Sequence, residues 1–156
     1  MNLHKTGKVP LKIKIISKEN MVNFILFDNI TNKNDLDRLR SYLATIKCNP
    51  MITYNPKIEA YGVWIFTEPI HAKKAKRISK EIKGTIYKIS RIKLNCDIYP
   101  NYASYENINK HSINEITLPL YAGGQVLSNG QFTDDISELD IIVHDFSDLA
   151  EHFENN

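Results

Sequence analysis

The chain has little of what usually announces a chemistry. Its two cysteines, Cys48 and Cys96, stand far apart and without the short spacing of a metal-ligand pair. That argues against a zinc or iron–sulfur centre built by this chain and for a reducing compartment. No stretch approaches the roughly 18 apolar residues that a membrane span requires, and no secretory leader is visible. The expected setting is therefore cytoplasmic, with no membrane partner. Gly123-Gly124 is an isolated pair rather than a glycine-rich phosphate loop. His4, His71, His111, His144 and His152 are scattered, and each reads as a surface or hydrogen-bonded side chain. The formal net charge is only +2, so global charge does not mark a nucleic-acid binder.

What is present is the composition of an ordinary globular protein, and 156 residues suit a single domain over 1–156 with a sizeable core. The charge is uneven: 57–93 is basic and 133–154 is acidic. The acids of 134–148 read as a solvated face. The stretch Tyr61-Gly62-Val63-Trp64-Ile65-Phe66 holds the only tryptophan. Its aromatic and β-branched residues predict a mostly buried strand, stopped by Pro69. Ile70, Ala72, Ala75, Ile78 and Ile82 then recur at helical spacing among lysines and an arginine. They predict a basic amphipathic helix over 70–83, ended by Gly84.

In chain order, 1–10 reads as a loose polar arm. Leu11 to Ile16 alternates like an edge strand with its lysines in water. Val22 to Phe27 predicts a second strand, running into Asp28-Asn29 as a turn. Asn34 is a candidate helix cap, and Leu36, Leu39, Leu43 and Ile46 form one helical stripe. Met51 to Tyr54 predicts a short strand, with Asn55-Pro56-Lys57 turning into the central one. Thr85 to Leu94 alternates loosely and suits one or two strands. Glu115 to Leu120 predicts a strand limited by Pro119. Val126 to Phe132 predicts a hairpin about Asn129-Gly130. Asp140 to Phe146 suits a last strand or turn, and Ser147 caps a short acidic helix through Phe153. The fold class expected is α+β: an RNA-recognition-motif-like βαββαβ core with helices on one face of an antiparallel sheet, plus a C-terminal hairpin and short helix.

Three further segments carry a resemblance. Val63-Trp64-Ile65-Phe66-Thr67-Glu68-Pro69-Ile70 with Ala72-Lys73-Lys74-Ala75, then Ile98-Tyr99-Pro100-Asn101, then Ile116-Thr117-Leu118-Pro119-Leu120 resemble, in order and spacing over 22–132, motifs of the archaeo-eukaryotic primase superfamily. Polymerising members of that family carry an Asp-(apolar)-Asp pair for divalent metal. Here the corresponding place reads Asp28-Asn29-Ile30. The family's strand histidine falls at Gly62, and Glu115 stands near its third acid. Two-metal chemistry needs several carboxylates converging on ions about 3.5–4 Å apart, which one aspartate cannot supply.

The resemblance therefore implies a primase-type fold without its polymerase centre, similar to the non-catalytic X subunit of archaeal primases. The implied partners are the catalytic and large primase subunits, together with a nucleoside triphosphate, a single-stranded DNA template or an RNA primer. It implies no cofactor, no metal and no catalysis by the chain alone. The implied nucleotide site lies across strand 61–66 and comprises Asn55, Lys57, Trp64, Arg91, Lys93, Tyr99 and Asn101, with an exposed Trp64 stacking the base.

Two alternatives stand beside this one. An active minimal primase-polymerase would use Asp28, Glu115 and an acid from 134–140. A stand-alone RNA-recognition module would turn Tyr61 and Val63, rather than Gly62, Trp64 and Phe66, toward the ligand. A strand has period two, so exposure of Trp64 against Tyr61 separates these registers.

Overall fold

A computed structural model describes residues 11–107 and 114–145. The strands are β1 (Lys12–Lys14), β2 (Met21–Ile30), β3 (Met51–Asn55), β4 (Ala60–His71), β5 (Asp97–Tyr99), β6 (Glu115–Thr117), β7 (Gln125–Ser128), β8 (Gln131–Thr133) and β9 (Val143–His144). The helices are α1 (Lys33–Thr45) and α2 (Ala72–Ser90). The class is α+β. The main sheet runs β5-β2-β4-β3-β7-β8, antiparallel throughout, and β9 adds a short parallel pairing to β4 at Phe66 and Thr67. A second sheet is the two-stranded ribbon β1–β6.

β2 and β4 are neighbouring interior strands, and their sequences show why. Phe24, Ile25, Leu26 and Phe27 are all buried, as are Val63, Trp64 and Ile65. An unbroken apolar run is what a strand covered on both faces needs. Paired residues across β5, β2, β4 and β3 give one row of Tyr99, Leu26, Trp64 and Met51, and beside it a row of Ile98, Phe27, Val63 and Ile52. Successive residues of a strand point to opposite faces, so these rows face opposite ways.

The helices cover the Ile98–Phe27–Val63 face, touching β2, β4 and each other. α1 buries Leu36, Leu39 and Leu43. α2 buries Ala72, Ala75, Ile78, Ile82 and Ile86, its two alanines letting the helix start close against the sheet. The opposite face is covered in part by the β1–β6 ribbon and the chain through Leu120. The ribbon is tied down by Asn114, which accepts from Ile16 N at 2.9 Å and donates to Ile16 O at 2.9 Å.

Several boundaries differ from the expected ones for local reasons. Asn32, not Asn34, caps α1: its Oδ1 accepts from Asn34 N at 2.8 Å. β4 continues through Pro69 to His71. Pro69 is exposed and lies where the β2–β4 register shifts, so no ladder bond is lost to it. Gly84 does not end α2, because it sits on the exposed side with nothing near it, and the helix runs on to Ser90. Arg91, at φ 59°, is the left-handed cap, and the 85–90 part of the expected strand is helical. β1 and β6 are shorter than the alternation suggested. The hairpin forms as expected, with Asn129 at φ 50° and Gly130 at φ 80° supplying the two left-handed positions of its turn. The arm at 1–10 and the helix from Ser147 lie outside the described residues.

Candidate functional site

Three side chains, those of Thr53, Asp28 and Trp64, meet around Gly62 on the ribbon-covered face of β4. Thr53 pairs with Gly62, and Asp28 pairs with Asp97 one strand beyond. A Cβ placed on Gly62 would lie 2.5 Å from Thr53 Oγ1, 3.3 Å from Asp28 Oδ1 and 3.4 Å from Trp64 Nε1. Position 62 therefore has no room for a side chain while Thr53 stays in place. Trp64 Nε1 donates to Thr53 Oγ1 at 3.3 Å, and the indole lies against Phe66 and Phe24, with ring centroids 5.9 and 5.3 Å away. Above this floor is a cavity of about 490 Å³, walled by Asp28, Asn55 and Tyr99 and roofed by Glu115, Leu118 and Tyr121.

The cavity is electrostatically one-sided. Burial raises the Asp28 carboxyl above its usual 3.8; the Asn29 N–H pulls the other way, and the Asp97 charge adds to the rise. Burial also raises the Tyr99 hydroxyl, followed by the charges of Asp97 and Asp28. Asn29, left-handed at φ 55° where the β2–β4 register shifts, donates from Nδ2 to Asp97 Oδ2 at 2.6 Å. Lys12 is the one cation among the described residues lining the cavity. Such a site suits hydrogen-bond donors and a flat apolar group better than a bare phosphate. The donors would meet Asp28, Glu115 and the Asn55 amide; the flat group would meet the aromatic walls. Among the described residues no three His, Cys, Asp or Glu side chains cluster as a metal site.

The seven residues expected to form one nucleotide site are divided. Asn55, Trp64 and Tyr99 line the cavity. Asn55 Oδ1 also accepts from Lys57 N at 3.0 Å, which holds the turn, while Lys57 is exposed beside it and does not line the cavity. Trp64 is a correction: it is 4% exposed, packed against Phe24 and Phe66 and hydrogen-bonded to Thr53, so it offers no open indole for stacking. Arg91 and Lys93 are also displaced. Because α2 runs to Ser90, Arg91 sits at the helix end with its guanidinium 5.8 Å from the Tyr87 ring, and neither residue reaches the cavity. Asn101 lines a different hollow beside α2, where its carbonyl accepts from Lys76 Nζ at 3.2 Å.

The register test gives a divided result. Tyr61 is half-buried and more open than Trp64, and rests on Tyr54 and Phe132 with centroids 4.8 and 5.8 Å away. Val63, its companion on that face, is fully buried. Gly62 and Trp64 are the β4 residues bordering the cavity, together with Ala60. Sequence reasoning left Thr53 and Tyr121 out of the site. Thr53 was findable: it is a polar residue in the middle of the otherwise largely apolar β3. Of the acids considered for an active enzyme, Asp28 and Glu115 line this cavity, whereas none from 134–140 does.

Compared with known protein families and with curated proteins, the chain matches none.

Proposed function

We propose that the chain is a non-catalytic accessory subunit of a DNA primase of the archaeal kind, working in the cytoplasm beside the catalytic and large subunits. Its cavity on β2, β3 and β4 receives the nucleoside part of a nucleotide, or a base of the template or primer, and so supports primer initiation. The observation that carries the reading is the fate of the position two residues beyond Asp28. Ile30 is 1% exposed and belongs to the core, so the cavity holds Asp28 without a second carboxylate from the same strand end. Gly62, where the resembled family has a histidine, has no space for one. The strand–helix–strand–strand–helix–strand run from β2 to β5 supports the reading further.

Co-purification from the source cell tests the reading. Recovery of the catalytic and large primase subunits with the chain is the expected result, and recovery of neither contradicts it. Primer extension by the isolated chain with Mg²⁺ or Mn²⁺ is expected to give no product above background.

A second reading, an active minimal primase-polymerase, is favoured by Asp28 and Glu115 lining one cavity with Asp97 paired to Asp28. Extension activity that vanishes in Asp28→Ala would establish it in place of the first.

A further inference from the structure

Behind β5, on the helix side of the sheet, lies a larger hollow of about 950 Å³ between α2 and the chain at Ile98, Pro100 and Asn101. Lys73, Lys76, Arg77, Lys80 and Lys83 all line it, and none of the described residues lining it is acidic. Their spacing of three and four residues puts them on one stripe of the helix, with Ile98 and Pro100 as an apolar floor opposite. From Lys73 to Lys83 the helix rises about 15 Å. One strand of a duplex carries a phosphate about every 3.4 Å of axis, and an extended single strand spaces them more widely, so the stripe is long enough to meet a few consecutive phosphates.

We propose that this groove holds the backbone of a single nucleic-acid strand, independently of sequence. The site is separate from the cavity and goes beyond the nucleotide reading. Two features favour a strand over an acidic polypeptide. The stripe is regular and made of cations at one helix face, which suits a regular row of charges. The groove and the cavity are also neighbours across one edge strand: Ile98 lines the first and the next residue, Tyr99, lines the second. β5 is the edge strand of the sheet, so a strand lying in the groove runs beside the edge whose other face borders the cavity. Concavity between helix and edge favours a single strand over a rigid duplex. Lysine-dominated contacts to phosphate position a strand and read no sequence.

The test is fluorescence anisotropy of a labelled 20-nucleotide polythymidine with the full chain, between 50 and 200 mM salt. Lys73→Gln/Lys76→Gln/Lys80→Gln is expected to weaken binding at 50 mM salt at least tenfold and to reduce the slope of log affinity against log salt by about 2. Lys33→Gln/Arg38→Gln/Arg40→Gln, an equal charge change on the exposed residues of α1, is expected to change affinity less than threefold. Equal weakening by both triples would overturn the groove, since diffuse charge would then explain binding. Unchanged affinity in the first triple, or displacement of the strand by polyglutamate at lower charge concentration than by unlabelled polythymidine, would also overturn it. ATP titration of the same variant keeps the two sites apart: loss of the strand with ATP binding unchanged supports a separate groove, and loss of both at once contradicts it.

Discussion

Two hollows lie back to back across β5, and they are opposite in character. The cavity on the ribbon side has aromatic walls, Asp28 and Glu115, and a lone lysine; the groove on the helix side is a lysine stripe over an apolar floor. The alternation of Ile98 and Tyr99 along a three-residue strand divides them. The difference shows how a chain of net charge +2 can carry a strongly basic surface: positive charge is gathered on one helix face, while Asp28, Glu115 and aromatic groups line the other side of the sheet. It also separates two tasks that were expected of one site. Under the two proposals, recognition of a flat group is assigned to the cavity and neutralisation of phosphate to the groove.

Substitutions should break this contrast unevenly, and the largest effects belong to the cavity floor. Trp64→Ala removes a side chain that is 4% exposed and should destabilise the fold by about 3–5 kcal/mol, measured by urea denaturation. Gly62→Ala is next. Its Cβ would stand 2.5 Å from Thr53 Oγ1, and the strain should cost about 1–3 kcal/mol while narrowing the cavity. A melting temperature within a degree of the parent would show that Thr53 yields freely and that Gly62 is not required there.

A pH effect of intermediate size should belong to the cavity alone. The folded Asp28 carboxyl titrates above its usual 3.8, so in that window the folded state binds more protons than the unfolded chain. Its contribution to stability is present below 3.8 and is lost as pH rises through the elevated folded value. Asp28→Asn, with Asp97 and Glu115 retained, should remove this loss and be more stable than the parent at pH 7. A parent-like pH profile in the variant would contradict the burial of that charge. The smallest effects belong to the groove: Lys73→Gln and Lys80→Gln, both at exposed positions, should each change stability by less than about 0.5 kcal/mol while altering strand binding.

Composition and period made much of the fold legible. The buried runs of β2 and β4, the stripe of α1, the basic face of α2 and the Asn129-Gly130 turn all follow local rules that tertiary packing did not override. Boundaries were less legible. Gly84 looked like a helix end because glycine favours left-handed caps, yet nothing in the sequence says that its flank faces water and that Ile86 is needed against the sheet.

That one misjudged end displaced two site residues, since Arg91 and Lys93 were read as part of a strand approaching the cavity. Trp64 was legible as a residue of the central strand's cavity face. Its burial was not legible, because Phe24 and Thr53, which pack against and bond the indole, come from β2 and β3 and meet it only once the sheet is assembled. Burial pushes the Cys48 thiol up to about 12 and the Cys96 thiol up to about 11, leaving both largely protonated at neutral pH.

The central claim is that the cavity receives a nucleotide, and residue-resolved chemical shifts during a titration with ATP test it most directly. The account predicts saturable shifts, at millimolar nucleotide or below, concentrated at Asp28, Thr53, Asn55, Gly62, the Trp64 indole N–H and Tyr99. Strong attenuation is expected in Asp28→Ala and little change in Arg91→Ala. No saturation at millimolar ATP, or shifts confined to α2 and the 98–101 chain with the Trp64 indole unmoved, would contradict it.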